Sequence, residues 1–186
     1  MFSKKLTMKR TSYLIALIIL FISCEPTKNT DEKVNVLLEK EAIGTMLDGW
    51  HKSAAAANFE IYFEAMTDKS VFIGTDASEN WTIKEFKNFS KPYFDKGKAW
   101  SFTPIERNIY VYNDGKIAWF DELLDTWMGV CRGSGVLKKV DTMWKIEHYV
   151  LSLTIPNENI QEVKNVNREK DSLFLSKIRK QFKSYF

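Results

Sequence analysis

Residues 110–127 read "YVYNDGKIAWFDELLDTW", and the fold is decided there. Asn113-Asp114-Gly115 is a hairpin signal, because these residues tolerate the positive φ that a tight strand-to-strand turn requires. Beyond the turn the side chains alternate: Ala118, Phe120 and Glu122 share one face, Trp119 and Asp121 the other. Working outward, "KAWSFTPIERNIYVY" (98–112) leads into the turn, and "GVCRGSGVLKKV" (129–140) and "MWKIEHYVLSLTI" (143–155) follow with short connections. Four long strands in succession predict an antiparallel meander, which Pro156-Asn157 ends.

Upstream the period is helical. Val34, Leu37, Leu38, Ile43, Met46, Leu47 and Trp50 recur near 3.6 residues, and an alanine run, 54–57, follows. Asn58 can cap a second helix, "FEIYFEAM", with Phe59, Tyr62, Phe63 and Met66 on one side. A short strand, 70–73, leads into "GTDASENW". Thr82 and Glu85 then form a capping box that starts a third helix. That helix turns Phe86, Phe89 and Phe94 inward, and Pro92 bends or shortens it. Helices first and a meander afterwards make an α+β domain with its helices on one face of the sheet.

The ends of the chain read differently. Lys4, Lys5, Lys9 and Arg10 precede the apolar run "LIALIILFI", which is shorter than the roughly 20 residues a bilayer span takes. "LFISC" then sets Cys24 after a small residue and resembles the lipobox of bacterial lipoproteins; the alternative is an ordinary signal peptide or an uncleaved anchor. The expected division is a lipoprotein-type signal at 1–23, a polar tether at 24–33, the folded domain at 34–157 and a charged helical extension at 158–186. In that extension Phe174, Ile178 and Phe182 mark an apolar stripe expected to pack on the domain. Removing residues 1–23 takes away four positive charges and no acid, so the formal charge falls from +3 to −1. A nucleic-acid partner therefore loses its electrostatic support. With Cys24 lipidated, Cys131 has no cysteine to pair with inside the chain.

"WHKSAAAANFEIYFEAM", "VFIGTDASENW", "AWFDELLDTW", "CRGSGVL" and "WKIEHYVLSLTIPN" resemble, in this order and spacing, the SnoaL-like branch of the nuclear transport factor 2-like superfamily. The resemblance spans residues 37–157. It implies a cone, with N-terminal helices packed on a strongly curved antiparallel sheet and a pocket at the open end. It implies no single activity, since such domains include isomerases, cyclases, dehydratases and non-catalytic binding modules.

Candidate chemistry must come from individual residues. There is no phosphate-cradling glycine loop, no GxSxG and no paired-cysteine metal site, so no cofactor or metal is expected. Strand alternation places His148 inward with Trp144, Ile146 and Val150. The resemblance suggests that His51 faces the cone, and two enclosed histidines would titrate near neutral pH. One of Asp121 and Glu122 must point inward, and alternation alone leaves open which. Arg132 and Ser134 share a face of the next strand, where Arg132 could pair with that inward carboxylate. His148, Glu122, Asp121 and Arg132 are thus the catalytic candidates. Gly133 and Gly135 are read as a kink that bends the sheet. Asp76 and Glu79 belong partly to a local turn and partly to the rim of the cone, where Trp81 forms wall. With Tyr62, Trp100, Trp119, Ser134 and His51 they make up the ligand-lining set. The reading is a lipid-anchored domain that binds a small, partly apolar organic ligand. An acid–base enzyme and a non-catalytic homodimeric module are the alternatives.

Overall fold

In the computed structural model, residues 34–182 are described, and the signal, Cys24 and the tether lie outside them. Helix α1 (Val36–Ala55) starts where the Asn35 side chain accepts from the Leu38 N–H. Its buried residues, Ile43, Leu47, Trp50, His51 and Ala54, keep the helical spacing, whereas Leu37 and Leu38 on the first turn remain exposed. The stripe read from Val34 onward therefore meets the core only from Ile43. Asn58 caps α2 (Phe59–Glu64), accepting from the Ile61 N–H. Strand β1 (Met66–Ile73) and the short β2 (Asn80–Thr82) follow. Both halves of the Thr82/Glu85 capping box form at the start of α3 (Ile83–Asp95). Phe86, Ser90 and Phe94 bury one stripe of α3, and Pro92 sits in its last turn without ending it early.

The meander is β3 (Thr103–Val111), β4 (Ile117–Thr126), β5 (Gly129–Val140) and β6 (Met143–Leu153). The β3–β4 turn forms at the predicted place: Gly115 takes φ +65° and Asp114 accepts from the Lys116 N–H at 2.9 Å. The six-stranded sheet has the order β2-β1-β6-β5-β4-β3. Every pairing is antiparallel except β1 with β6, which is parallel. The curved sheet and the helices packed on it form an α+β cone.

One residue changes the reading of β6. His148 pairs with Val136, but Ile146 already pairs with the next residue, Leu137, so Glu147 is a bulge. The Thr67 hydroxyl on β1 donates to the Glu147 carboxylate at 2.6 Å and holds the bulge in place. Beyond it the parity reverses: Tyr149 and Leu151 turn inward, and His148 stands with the exposed Val136 on the outer face. The inward placement of His148 fails for that reason.

Gly133 and Gly135 lie on the inner face. A side chain at 133 would overlap the Tyr149 hydroxyl, and one at 135 would come within 2.7 Å of the Phe120 ring. Whatever bending they permit, these glycines make room for two aromatic rings. Beyond a 3-10 turn at Asn157–Asn159, α4 (Ile160–Phe182) supplies the expected helical extension. No residue of α4 is buried; of the expected stripe, Phe174 and Ile178 are half-buried and Phe182 is exposed.

Candidate functional site

Two regions of the inner face could carry chemistry, one polar and one aromatic. The polar one centres on Glu122. Since β4 alternates, Glu122 joins Ala118, Phe120 and Leu124 inward, and its side chain is 0% exposed. Asp121 falls on the outer face, where it accepts from Asn108 Nδ2 at 3.1 Å. Three donors converge on the Glu122 carboxylate. His51 Nε2 on α1 is 2.8 Å from Oε1, the Tyr149 hydroxyl donates to Oε1 at 3.3 Å, and Arg107 Nε on β3 donates to Oε2 at 2.9 Å. Arg107 Nη2 is also 2.9 Å from Oε2, but off the hydrogen-bond direction. Arg107 Nη1 reaches back to α1, donating to Asp48 Oδ1 at 2.8 Å and to the Gly44 carbonyl at 3.3 Å.

Burial alone would raise the Glu122 carboxyl above its usual range. The hydrogen bond and charge of His51, with the charge and hydrogen bond of Arg107, outweigh it and hold the carboxyl below that range. The Tyr149 hydroxyl is pushed well up, first by burial and then by the neighbouring Glu122 charge. Trp50 packs edge-on to Tyr149 and stacks on Tyr62, whose hydroxyl is likewise pushed up by burial. An ionised carboxylate with three donors is a weak base, so the network is built to hold its proton balance rather than to shift it.

Arg107 is the residue the sequence reading missed, and the signal was available. Counting back from the Asn113-Asp114-Gly115 turn gives Val111 opposite Ala118, Ile109 opposite Phe120 and Arg107 opposite Glu122. Arg132, which was expected to pair with the inward acid, is exposed and pairs in register with Leu123 and Ser152 on the outer face. Ser134 lies on that face opposite Asp121 and Val150. Trp119 is there too, 44% exposed and stacked on Tyr110 at 5.7 Å. Tyr62 lies in the core.

The aromatic region lies between the β1–β2 loop, α3, the segment before β3 and the β4–β5 turn. It is a slot of about 260 Å³, and eight of its fourteen lining residues are aromatic. Trp81, Phe89, Tyr93, Trp100 and Trp127 supply most of the wall. The rings order one another: Trp81 stacks on Phe89 at 4.3 Å and Phe72 on Phe86 at 3.9 Å. Phe72 and Phe86 each face the slot, and Phe72 also packs on Tyr149, so these rings lie between the slot and the Glu122 network. Among the expected lining residues, Glu79, Trp81 and Trp100 come together here.

The β1–β2 loop is partly a self-contained turn. The Ser78 N–H and hydroxyl both donate to Asp76 Oδ1, which holds the Asp76 carboxyl below its usual range, with a smaller contribution from the charge of Lys170. Glu79 accepts from the Asp76 N–H at 3.2 Å, and its carboxylate rests against Gly74, where any side chain would overlap it. A larger groove of about 650 Å³ runs between α1, α2 and the β5–β6 turn, floored by Met46, Trp50 and Met143. Among the described residues no group of three His, Cys, Asp or Glu is arranged to hold a metal ion.

A SnoaL-like domain matches residues 43–156. Solved structures share the fold at low identity. A nuclear transport factor 2-like protein from Pseudomonas putida is 12% identical with a TM-score of 0.55, over 67% of this chain and 92% of that one. A protein with a cystatin-like fold from Nostoc punctiforme is 11% identical with a TM-score of 0.53, over 66% and 95%. A scytalone dehydratase-like protein from Novosphingobium aromaticivorans is 14% identical with a TM-score of 0.54, over 64% and 86%. No curated protein matches the chain.

Proposed function

Because the chain belongs to the SnoaL-like domain family of the nuclear transport factor 2-like superfamily, we propose that it acts by binding a small, largely apolar organic molecule in the aromatic slot at the mouth of its cone. The observation that carries this is the slot itself: about 260 Å³ walled by eight aromatic residues, with Tyr93 and Trp127 exposed at its entrance. An apolar cleft with few polar groups is the usual make-up of a ligand site. Small aromatic compounds added to the purified protein should raise its melting temperature and quench its tryptophan fluorescence, and Trp81→Ala should abolish both. No response across a panel of such compounds would overturn the reading.

The enzymatic alternative draws on the same domain. A dehydratase or isomerase needs a base with a free lone pair next to its substrate. Both Glu122 oxygens already accept hydrogen bonds, from His51, Tyr149 and Arg107, and aromatic rings separate them from the slot. We assign that network to fastening α1 on the sheet.

Two further proposals concern where the domain acts. The "FISC" stretch supports cleavage before Cys24 and lipid attachment there, which would place the domain on the outer side of a bacterial inner membrane or on the outer membrane. A single acyl chain gives only marginal membrane binding and two or three give durable binding, so Cys24→Ala should move the expressed protein from the detergent phase to the aqueous phase. The exposed outer face of the sheet, with Tyr110 stacked on Trp119 and Val136 beside them, supports a homodimer; light scattering at monomer mass would exclude it.

A further inference from the structure

Glu79 is the only charged residue among the fourteen that line the aromatic slot; no Lys, Arg or His is among them. Its carboxylate has a backbone donor, the Asp76 N–H at 3.2 Å, and no salt bridge to a side chain among the described residues. The chain is arranged to keep it there. Position 74 is glycine, and a Cβ at that position would overlap the Glu79 carboxylate and sit 3.0 Å from its Cβ. The Gly74 N–H also donates to the Glu79 carbonyl at 2.9 Å, which closes the loop and fixes where the side chain leaves it.

A carboxylate against aromatic walls sets the sign of the site. The faces of Trp, Tyr and Phe rings carry negative potential, so Trp81, Phe89, Tyr93 and Trp127 act in the same direction as Glu79. An anionic ligand would meet repulsion from every side. A neutral one engages Glu79 only through a hydroxyl or amide donor and gains no charge attraction from the carboxylate or the ring faces. A cation is drawn both by the rings and by Glu79. The cation must also shed its water to enter an apolar slot, which favours a diffuse, weakly hydrated charge over a compact one such as a metal ion. We infer that the slot selects a small organic ammonium ion, its alkylated nitrogen against the aromatic faces with Glu79 as counter-charge. This inference rests on the proposed binding reading and narrows its ligand class. A volume of about 260 Å³ accommodates an ammonium ion of choline size.

The test uses a pair of probes of nearly equal shape. Choline carries a trimethylammonium group; 3,3-dimethyl-1-butanol carries a neutral tert-butyl group in its place. Each is titrated into the full chain, with tryptophan fluorescence and calorimetry as readouts. Choline should bind about tenfold more tightly than the alcohol or better. Glu79→Gln should remove most of that preference. Gly74→Ala, which displaces the carboxylate without deleting it, should do the same and replaces Glu79→Gln should that variant fail to fold. If the alcohol binds as tightly as choline, or the preference survives both substitutions, the slot is an apolar site and the ammonium inference is overturned while the binding reading stands. If neither probe binds at millimolar concentration and the aromatic panel also fails, both fall.

Discussion

The Glu122 network and the aromatic slot occupy one cone and are built in opposite ways. Around Glu122 the acceptor atoms are engaged, the carboxylate is fully enclosed and two helical turns of α1 are tied to it through His51, Asp48 and Gly44. Around the slot the rings stack on each other, the space is open and the one carboxylate has no cationic partner among the described residues. The lesson is that a buried acid, histidine and arginine within reach of each other need not be the working site. A buried ion pair contributes little net stability but is costly to break, and it fixes one arrangement of the elements it joins. Uncommitted aromatic surface at an opening is the better mark of ligand binding.

The contrast is broken most directly at Arg107. Arg107→Ala leaves Glu122 buried without its arginine and should destabilise the fold by about 3–5 kcal/mol, read as a lower urea midpoint at unchanged slope. A loss under about 1 kcal/mol would show that the network is not load-carrying and would reopen it as a functional site. The same region should dominate acid stability. A carboxyl held below its ordinary value of 4.5 in the fold contributes stability that is fully present above that value. That contribution is lost as pH falls through the lower folded value. Glu122→Gln should therefore be less stable than the wild type at neutral pH, and the gap should narrow as pH drops below about 4.5. A gap that stays constant from pH 7 to pH 3 would contradict the assignment.

Gly133→Ala is the next largest effect. The new methyl would overlap the Tyr149 hydroxyl and come 3.1 Å from Glu122 Cγ, on a strand whose partners on both sides fix it. Overpacking of this kind costs about 1–3 kcal/mol. Binding in the slot should persist in the folded fraction, because Phe72 and Phe86 intervene. If Gly133→Ala abolished binding at unchanged stability, the two regions would be one site.

What the sequence revealed of this divides by the range of the interaction. The Asn58 cap, the Thr82/Glu85 capping box and the Asn113-Asp114-Gly115 turn are settled within four residues and were legible. So was the order of the elements, and with the resemblance the cone followed. His148 was misplaced because strand parity is exact only without insertions, and the bulge at Glu147 is held from β1 by Thr67, eighty residues away. Trp119 is misplaced by composition, which groups the aromatic residues with the pocket, although alternation already sets Trp119 apart from Phe120. The choice between Asp121 and Glu122 was open from β4 alone, yet the hairpin register resolves it by placing Arg107 opposite Glu122. The partly exposed slot is readable in its loop and in Trp100 but not in its far wall, which comes from the β4–β5 turn, forty-six residues after Trp81.

The smallest effect on stability is expected where the effect on binding should be clear. Trp127 lies at the entrance of the slot and is 82% exposed, so its ring adds little to the core. It does not hold the turn that carries it either. The Thr126 hydroxyl donates to the Gly129 carbonyl at 2.8 Å and accepts from the Met128 N–H at 3.0 Å, and Gly129 takes the φ of +96° that closes the connection. Trp127→Ala should thus change stability by no more than about 0.5 kcal/mol. The variant should bind choline and aromatic compounds several-fold more weakly than the wild type, with calorimetry as the readout. If binding is unchanged, the slot ends at Trp81 and Tyr93. If stability falls by 2 kcal/mol or more, the entrance is part of the core, and the division between a closed network and an open slot is wrong on the slot's side.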